Sequence, residues 1–182
     1  CTVDLSAFYF DIRKDALYCD SKDSDRRRSS IIVLNIILES LIKWFAPILS
    51  FTTEEIYRLI DKDKKSIHLE NFMEFPKMFE NINLNKKWLE LKKIRDICNV
   101  SIEAKRTAKE IGSSLESNLI ISLNKDLYEI SNQVDFAELC ITSSATVTKS
   151  TSEEVMVETK KATGNKCPVC WKITQDKCAR HS

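Results

Sequence analysis

Glycine is nearly absent from this 182-residue chain: only Gly112 and Gly164 occur, where ordinary usage of about 7% would supply a dozen or so. Two isolated glycines cannot build the backbone cradle that receives phosphates in nucleotide-binding loops, so P-loop and dinucleotide fingerprints are excluded. Glycine-punctuated barrels and propellers are disfavoured too, and helix becomes the default expectation. Hydrophobic residues make up 43% and charged residues 30%, the balance of a globular chain rather than a disordered tail. This length suits one domain or two small ones.

The formal net charge of +1 conceals segments of opposite sign. Residues 1–84 carry −2, residues 85–111 carry +4, residues 112–159 carry −6 and residues 160–182 carry +5. Two basic zones in a neutral or acidic chain point to a polyanionic partner met at specific places, or to solvated faces. The most apolar stretch, Ile31 to Leu49, contains Asn35, Glu39 and Lys43. Charges at mid-span are costly in lipid, so it reads as a buried helix and not as a membrane span. No signal peptide precedes the first helical pattern, and the opening Cys1 reads as a processed start or as the edge of a longer protein.

Helical periodicity organises the first two thirds. Leu5, Phe8, Tyr9, Ile12 and Leu17 recur behind Asp4, read as an N-cap. A polar joint, Asp20 to Asp25, leads to a second helix whose stripe is Ile31, Leu34, Leu38, Leu41, Ile42 and Phe45, ended by Pro47. Thr52-Thr53-Glu54-Glu55 reads as a capping box with Thr52 as cap, opening a short helix through Ile56, Tyr57 and Ile60. The paired carboxylates Glu54 and Glu55 belong to that first turn for dipole reasons and not to catalysis. Residues 61–83 read as loop, with one extended piece at Ser66–Leu69. A long helix from about Lys86 to Ile111 should stop at Gly112 in the position after the cap. Its apolar face is Ile94, Ile97, Ser101, Ala104, Ala108 and Ile111, while Arg95, Arg106 and Lys109 line a basic ridge.

Beyond Gly112 the pattern turns β-rich. Asn118–Leu123 reads as a strand, Lys125–Ile130 and Val134–Leu139 as short helical turns, and Cys140–Thr148 and Val155–Thr159 as strands. Thr142–Ser152 reads as an exposed hairpin. The expectation is a mostly α fold: a helical bundle over 1–112, a small α/β appendage over 113–162 and a metal-binding knuckle over 163–182.

That knuckle rests on Cys167-Pro168-Val169-Cys170-Trp171 followed by Cys178-Ala179-Arg180-His181. The spacing is C-x2-C, seven residues, then C-x2-H. Two close pairs are what tetrahedral zinc needs, each bringing two ligands to one side of the ion. Four protein ligands leave no open position, so Cys167, Cys170, Cys178 and His181 should hold one structural zinc ion. The other cysteines, Cys1, Cys19, Cys98 and Cys140, sit in apolar patterns and read as small buried hydrophobes in a reducing cytoplasm. Trp171 either covers the metal site or stacks on an unpaired base, with Lys166, Lys172, Lys177 and Arg180 around it; an aromatic platform among cations suits single-stranded nucleic acid. No nucleophile or acid–base constellation is visible: His68 is alone in a loop and His181 is taken by the metal. The chain by itself reads as non-catalytic.

Several segments resemble one family. Asp4-Leu5-Ser6-Ala7-Phe8-Tyr9 with Asp11-Ile12-Arg13-Lys14-Asp15-Ala16-Leu17-Tyr18-Cys19, and Phe45-Ala46-Pro47-Ile48-Leu49-Ser50-Phe51-Thr52-Thr53-Glu54-Glu55-Ile56-Tyr57, are similar to the anticodon-binding helical domain of the class I aminoacyl-tRNA synthetases for isoleucine, valine and leucine. Arg106 to Glu116, reading R-x2-K-x-IGSSLE, and the terminal Cys-x2-Cys-Trp module narrow the resemblance to the bacterial-type isoleucyl branch. The usual module of that branch has a longer loop and a cysteine as fourth ligand; here the loop is seven residues and His181 stands fourth.

The resemblance implies a parent enzyme that joins isoleucine to its tRNA using ATP and magnesium, with catalytic and editing domains upstream of this chain. It implies that this portion holds the anticodon arm of tRNA(Ile) in the cytoplasm. Arg95, Arg106 and Lys109, with Arg26, Arg27 and Arg28, become candidates for phosphate contacts, which position RNA without selecting it. A free-standing zinc-knuckle nucleic-acid-binding protein is the alternative.

Overall fold

A computed structural model describes residues 2–60, 63 and 65–181. Cys1, one of the scattered cysteines, lies outside the described residues, as do three positions of the expected 61–83 loop. The fold is mainly helical with a small sheet, and it divides into two compact units. One comprises residues 1–19 and 81–182, the other residues 20–80.

In the first unit, a π-helical segment, Thr2–Phe10, runs into helix α1, Asp11–Cys19. Asp4 is therefore inside a helical turn and not at its cap; its carboxylate accepts from Lys92 Nζ at 2.8 Å. The long helix of this unit, α4 in chain order, spans Ile82–Thr107; α2 (Asp25–Phe45) and α3 (Ser50–Ile60) belong to the second unit. Asn81 caps it, its side-chain oxygen accepting from the Leu84 N–H at 2.9 Å. The helix ends before the expected stop. Lys109 takes the left-handed conformation (φ 58°), and its N–H and that of Glu110 return to the carbonyls of Arg106 and Lys105. This double closure is a Schellman motif with lysine in the usual glycine position. Gly112 lies downstream, its N–H held by Glu116 at 2.9 Å.

The buried face of α4 is Leu91, Ile94, Cys98 and Ile102, whereas Ile97 is 40% exposed. The expected face shared only Ile94 with it; strings of apolar residues on two adjacent faces make the sequence pattern ambiguous by about one residue of rotation. These side chains pack on strand β1, Ser117–Leu123, where Leu119, Ile121 and Leu123 are buried in alternation. Two short helices follow, α5 (Lys125–Ser131) and α6 (Phe136–Leu139). They carry the chain over to β2, Ser144–Lys149, which pairs parallel with β1. A parallel partner requires such a crossover. Strand β3, Met156–Lys161, pairs antiparallel on the other side, giving the order β2-β1-β3. Thr142–Ser152 is therefore not a hairpin: Thr142 and Ser143 are buried and the segment feeds a strand whose partner is distant in sequence. A second, two-stranded sheet joins β4, Asn165–Lys166, to β5, Ile173–Thr174.

The second unit holds α2 (Asp25–Phe45) and α3 (Ser50–Ile60), with 3₁₀ turns at Ile67–Leu69 and Lys77–Phe79. The first of these turns replaces the expected extended piece. Ser24 caps α2. Helix α3 begins two residues before Thr52, so the expected capping box does not form. Thr53 instead bonds back to the Leu49 carbonyl at 2.9 Å. Glu54 reaches away from its helix, accepting from Ser66 Oγ and from the Ile67 N–H, both at 2.9 Å. The small core is Ile42, Ala46, Tyr57 and Ile67. Of the expected α2 stripe only Ile42 is fully buried; Leu34 and Leu41 are half-buried, and Ile31, Leu38 and Phe45 are about 40% exposed. No helix among the described residues is long and apolar enough to cross a membrane.

Candidate metal centre and nucleic-acid face

Beyond β3 the chain forms a small loop structure around its cysteines. Gly164 has φ 130°, and a Cβ there would collide with the carbonyl of Thr174, so glycine is what lets β4 and β5 pair. The Cys167 N–H donates to the Lys172 carbonyl at 2.9 Å, and the Trp171 N–H returns to the Cys167 carbonyl at 3.0 Å. That tight turn puts Trp171 at φ 63° and faces the two thiols of Cys167 and Cys170 inward, both buried. A second turn, His181 N–H to Cys178 carbonyl at 3.0 Å, brings in the other pair.

The ligand atoms of Cys167, Cys170, Cys178 and His181 all lie within 4.8 Å of one another. Cys170 Sγ is 3.8 Å from Cys178 Sγ. His181 Nδ1 is 3.5 Å from Cys167 Sγ and 3.4 Å from Cys178 Sγ. A tetrahedron with metal–ligand bonds of about 2.0–2.3 Å has edges of roughly 3.3–3.8 Å. The cluster therefore fits a four-coordinate metal ion, with three soft sulfurs and one imidazole nitrogen as donors.

The local electrostatics prepare these donors. N–H groups of Cys170 and Val169 aimed at the Cys167 sulfur favour its thiolate and bring its pKa down to about 6. The Arg180 N–H does the same for Cys178, in the same direction. Burial pushes the Cys170 thiol up to about 11, so at neutral pH it would give up a proton on coordinating a metal. His181 Nε2 lies 2.7 Å from the Cys19 carbonyl, a bond that raises the imidazole pKa. It also assigns the N–H to Nε2, leaving the Nδ1 lone pair for the cluster.

Cys98 and Cys140 are buried in the main core, as read from the sequence. The Cys140 thiol's hydrogen bond to the Cys98 sulfur, together with burial, raises the Cys140 pKa, which keeps that thiol protonated. Cys19 is half-buried.

The candidate RNA-contacting residues are distributed unevenly. Trp171 is 58% exposed, with Lys166 Nζ at 5.6 Å from its ring centroid and Lys172 beside it. Trp171, Val169 and Lys172 share a cleft of about 360 Å³ with Tyr18, Lys14 and Leu115. Tyr18, 80% exposed, and Lys14 were not read as site residues, because only the tertiary fold brings α1 beside the knuckle. Lys177 is exposed and Arg180 pairs with Asp15 at 2.7 Å. On α4, Arg106 is exposed and pairs with Glu103 at 2.6 Å, and Lys109 is exposed in the turn after the helix. Arg95 is directed elsewhere, donating from Nε to the Leu139 carbonyl at 2.9 Å with its guanidinium 5.3 Å from the Phe8 ring centroid.

In the second unit Arg26 forms a fork on the Asp20 carboxylate at 2.7 and 2.9 Å. Arg27 donates to the Asp20 carbonyl at 2.9 Å, and Arg28 pairs with Asp23 at 2.9 Å.

Comparison with known proteins adds an independent line. The family described as "Anticodon-binding domain of tRNA ligase" matches residues 1–122. The isoleucine–tRNA ligase of Pelagibacter ubique is 73% identical over all 182 residues, which cover 20% of that relative. Isoleucine–tRNA ligases of Agrobacterium fabrum and Methylacidiphilum infernorum are each 42% identical over 96% of the chain, which covers 19% of each relative. The chain thus spans about a fifth of the length of these relatives.

Proposed function

The chain belongs to the anticodon-binding domain family of tRNA ligases, and from that premise we propose that it is the portion of an isoleucine–tRNA ligase that grips the anticodon arm of tRNA(Ile). The observation that carries this reading is the 73% identity with such a ligase across all 182 residues, knuckle included. A free-standing zinc knuckle would have no use for the helical domain matched over residues 1–122. In this reading residues 1–112 form the helical anticodon-binding domain, 113–162 the α/β appendage and 163–182 the zinc knuckle.

Zinc is the metal that best suits three thiolates and an imidazole at tetrahedral spacing. It would be held by Cys167, Cys170, Cys178 and His181 and would supply folding energy to a segment too short to build a core. Amino-acid activation with ATP and magnesium belongs to other domains of the parent enzyme, as does editing, and the whole works in the cytoplasm. Exposed Arg106, Lys109 and Lys166, with half-buried Lys172, attract the phosphate backbone, with Arg26, Arg27 and Arg95 as further candidates. Trp171 offers a ring face to an unpaired base.

Binding of the zinc-loaded chain to a tRNA(Ile) transcript, measured across a salt series, tests the reading. Affinity should fall linearly on logarithmic axes as salt rises, and a tRNA with an unrelated anticodon arm should bind more weakly. Equal binding of both tRNAs, or isoleucine-dependent ATP–pyrophosphate exchange by this chain alone, would overturn it.

A further inference from the structure

Two consecutive residues at the end of the knuckle are each held by the last two turns of α1. The Arg180 guanidinium forms a fork on Asp15, with Nη1 at 2.7 Å and Nη2 at 3.4 Å from its two oxygens. The neighbouring His181 donates from Nε2 to the Cys19 carbonyl at 2.7 Å. A third contact reaches the other half of the knuckle, where Cys19 Sγ is 3.6 Å from the Val169 carbonyl. Asp15 and Cys19 are four residues apart and so share one face of the helix. The carbonyl of Cys19 is one of the orphan acceptors every helix leaves at its C-terminus. Here the ligand imidazole satisfies it.

We infer that Asp15 and the C-terminal end of α1 are positioning groups of the metal centre, coupling metal binding to the seating of the knuckle on α1. An unconstrained histidine presents either ring nitrogen in several rotations, and only Nδ1, oriented as here, completes the tetrahedron with the three sulfurs. The Cys19 carbonyl selects that nitrogen. The Asp15 fork holds the residue immediately before it, so the backbone of the last ligand cannot swing away. Coupling runs both ways: an ion on Nδ1 fixes the imidazole that caps α1, and an intact α1 end holds the ligand ready. The cleft lined by Tyr18 on α1 and by Val169, Trp171 and Lys172 on the knuckle exists only in the seated arrangement, so the same coupling controls it. The inference rests on reading the four side chains as a metal site, and not on RNA binding.

The test uses the zinc-loaded 182-residue chain without RNA. Zinc release to a chromophoric chelator should be about 10–100-fold faster in Asp15→Asn than in wild type, the range found when groups orienting a metal ligand are removed. The swapped pair Asp15→Arg with Arg180→Asp should restore most of the retention. Hydrogen exchange supplies a readout that ordinary destabilisation does not mimic: stripping zinc from wild type should speed exchange in residues 13–19 as well as in the knuckle. In Asp15→Asn the α1 peptide should become indifferent to zinc. If that variant loses helical signal, Arg180→Gln, which leaves α1 untouched, takes its place. Wild-type release rates in both variants, or α1 exchange unaffected by zinc in wild type, overturn the inference and leave the metal site standing. A wild-type chain that takes up no zinc overturns the metal reading and this inference together.

Discussion

Arg95 donates from Nε to the main-chain oxygen of Leu139 at 2.9 Å, joining α4 to the end of α6 across 44 positions. Its guanidinium also lies over the Phe8 ring. This half-buried contact satisfies a helix-end carbonyl that would otherwise need water. Arg106, eleven residues on and on nearly the same helical face, reaches only the exposed Glu103. Arg95→Ala should therefore lower stability by about 1.5–3 kcal/mol, the scale of a hydrogen bond to a charged group. Arg106→Ala should leave thermal unfolding nearly unchanged, because exposed pairs at this spacing contribute little, and should weaken tRNA binding. Equal thermal shifts in the two variants would refute this division.

Cys170→Ser removes one donor from the cluster. Purified wild-type chain should carry about one equivalent of zinc, and the variant sharply less. Metal analysis giving the same content in both would refute the ligand assignment.

Trp171→Ala should weaken tRNA binding by about 1–3 kcal/mol, the range for one base–aromatic stack, with little change in melting temperature, since the ring is more than half exposed. Unchanged affinity with a lower melting temperature would give the ring the covering role instead.

Gly164→Ala places a Cβ against the Thr174 carbonyl at a backbone angle that side chains rarely adopt. The β4–β5 pairing should open and zinc release should accelerate, whereas Gly112→Ala, with only ordinary contacts to Glu116, should retain its metal. Chelator competition on the two variants separates these outcomes.

The Glu54 carboxyl is held below its ordinary value, first by the Ile67 N–H and then by Arg58 and Ser66. A lowered folded-state pKa stabilises the fold above the ordinary value of 4.5 and is lost as pH falls through the folded value. The melting-temperature gap between wild type and Glu54→Gln should therefore be full at pH 7 and close on acidification below that value. A gap independent of pH would assign the loss to packing.

Much of the candidate metal centre was legible in the chain, because the four side chains that could hold an ion lie within fifteen consecutive residues and their spacing brings them together. The β-rich turn after Gly112 was legible for a similar reason: the isoleucine- and leucine-rich run Asn118–Leu123 is a local signal. Helix ends were legible only in part: α2 stops just before Pro47 as expected, but others moved. Lys109 adopts the left-handed turn expected of Gly112, because the Schellman closure and burial of Ile111 outweigh the modest local cost of a lysine there. Thr52 looked like a cap, yet Glu54 turned to the Ile67 amide 13 residues on, a partner no local pattern reveals.

The helical class, the candidate ligand set and the family resemblance were all readable from residues near one another along the chain. Long-range packing is what sets Arg95 against α6, lays β2 parallel to β1 and brings the His181 imidazole to the end of α1 from 162 positions away. The physical reason is the same in each case. Orphan backbone carbonyls and strand edges accept whichever donor the packed core delivers, and that delivery depends on the whole fold.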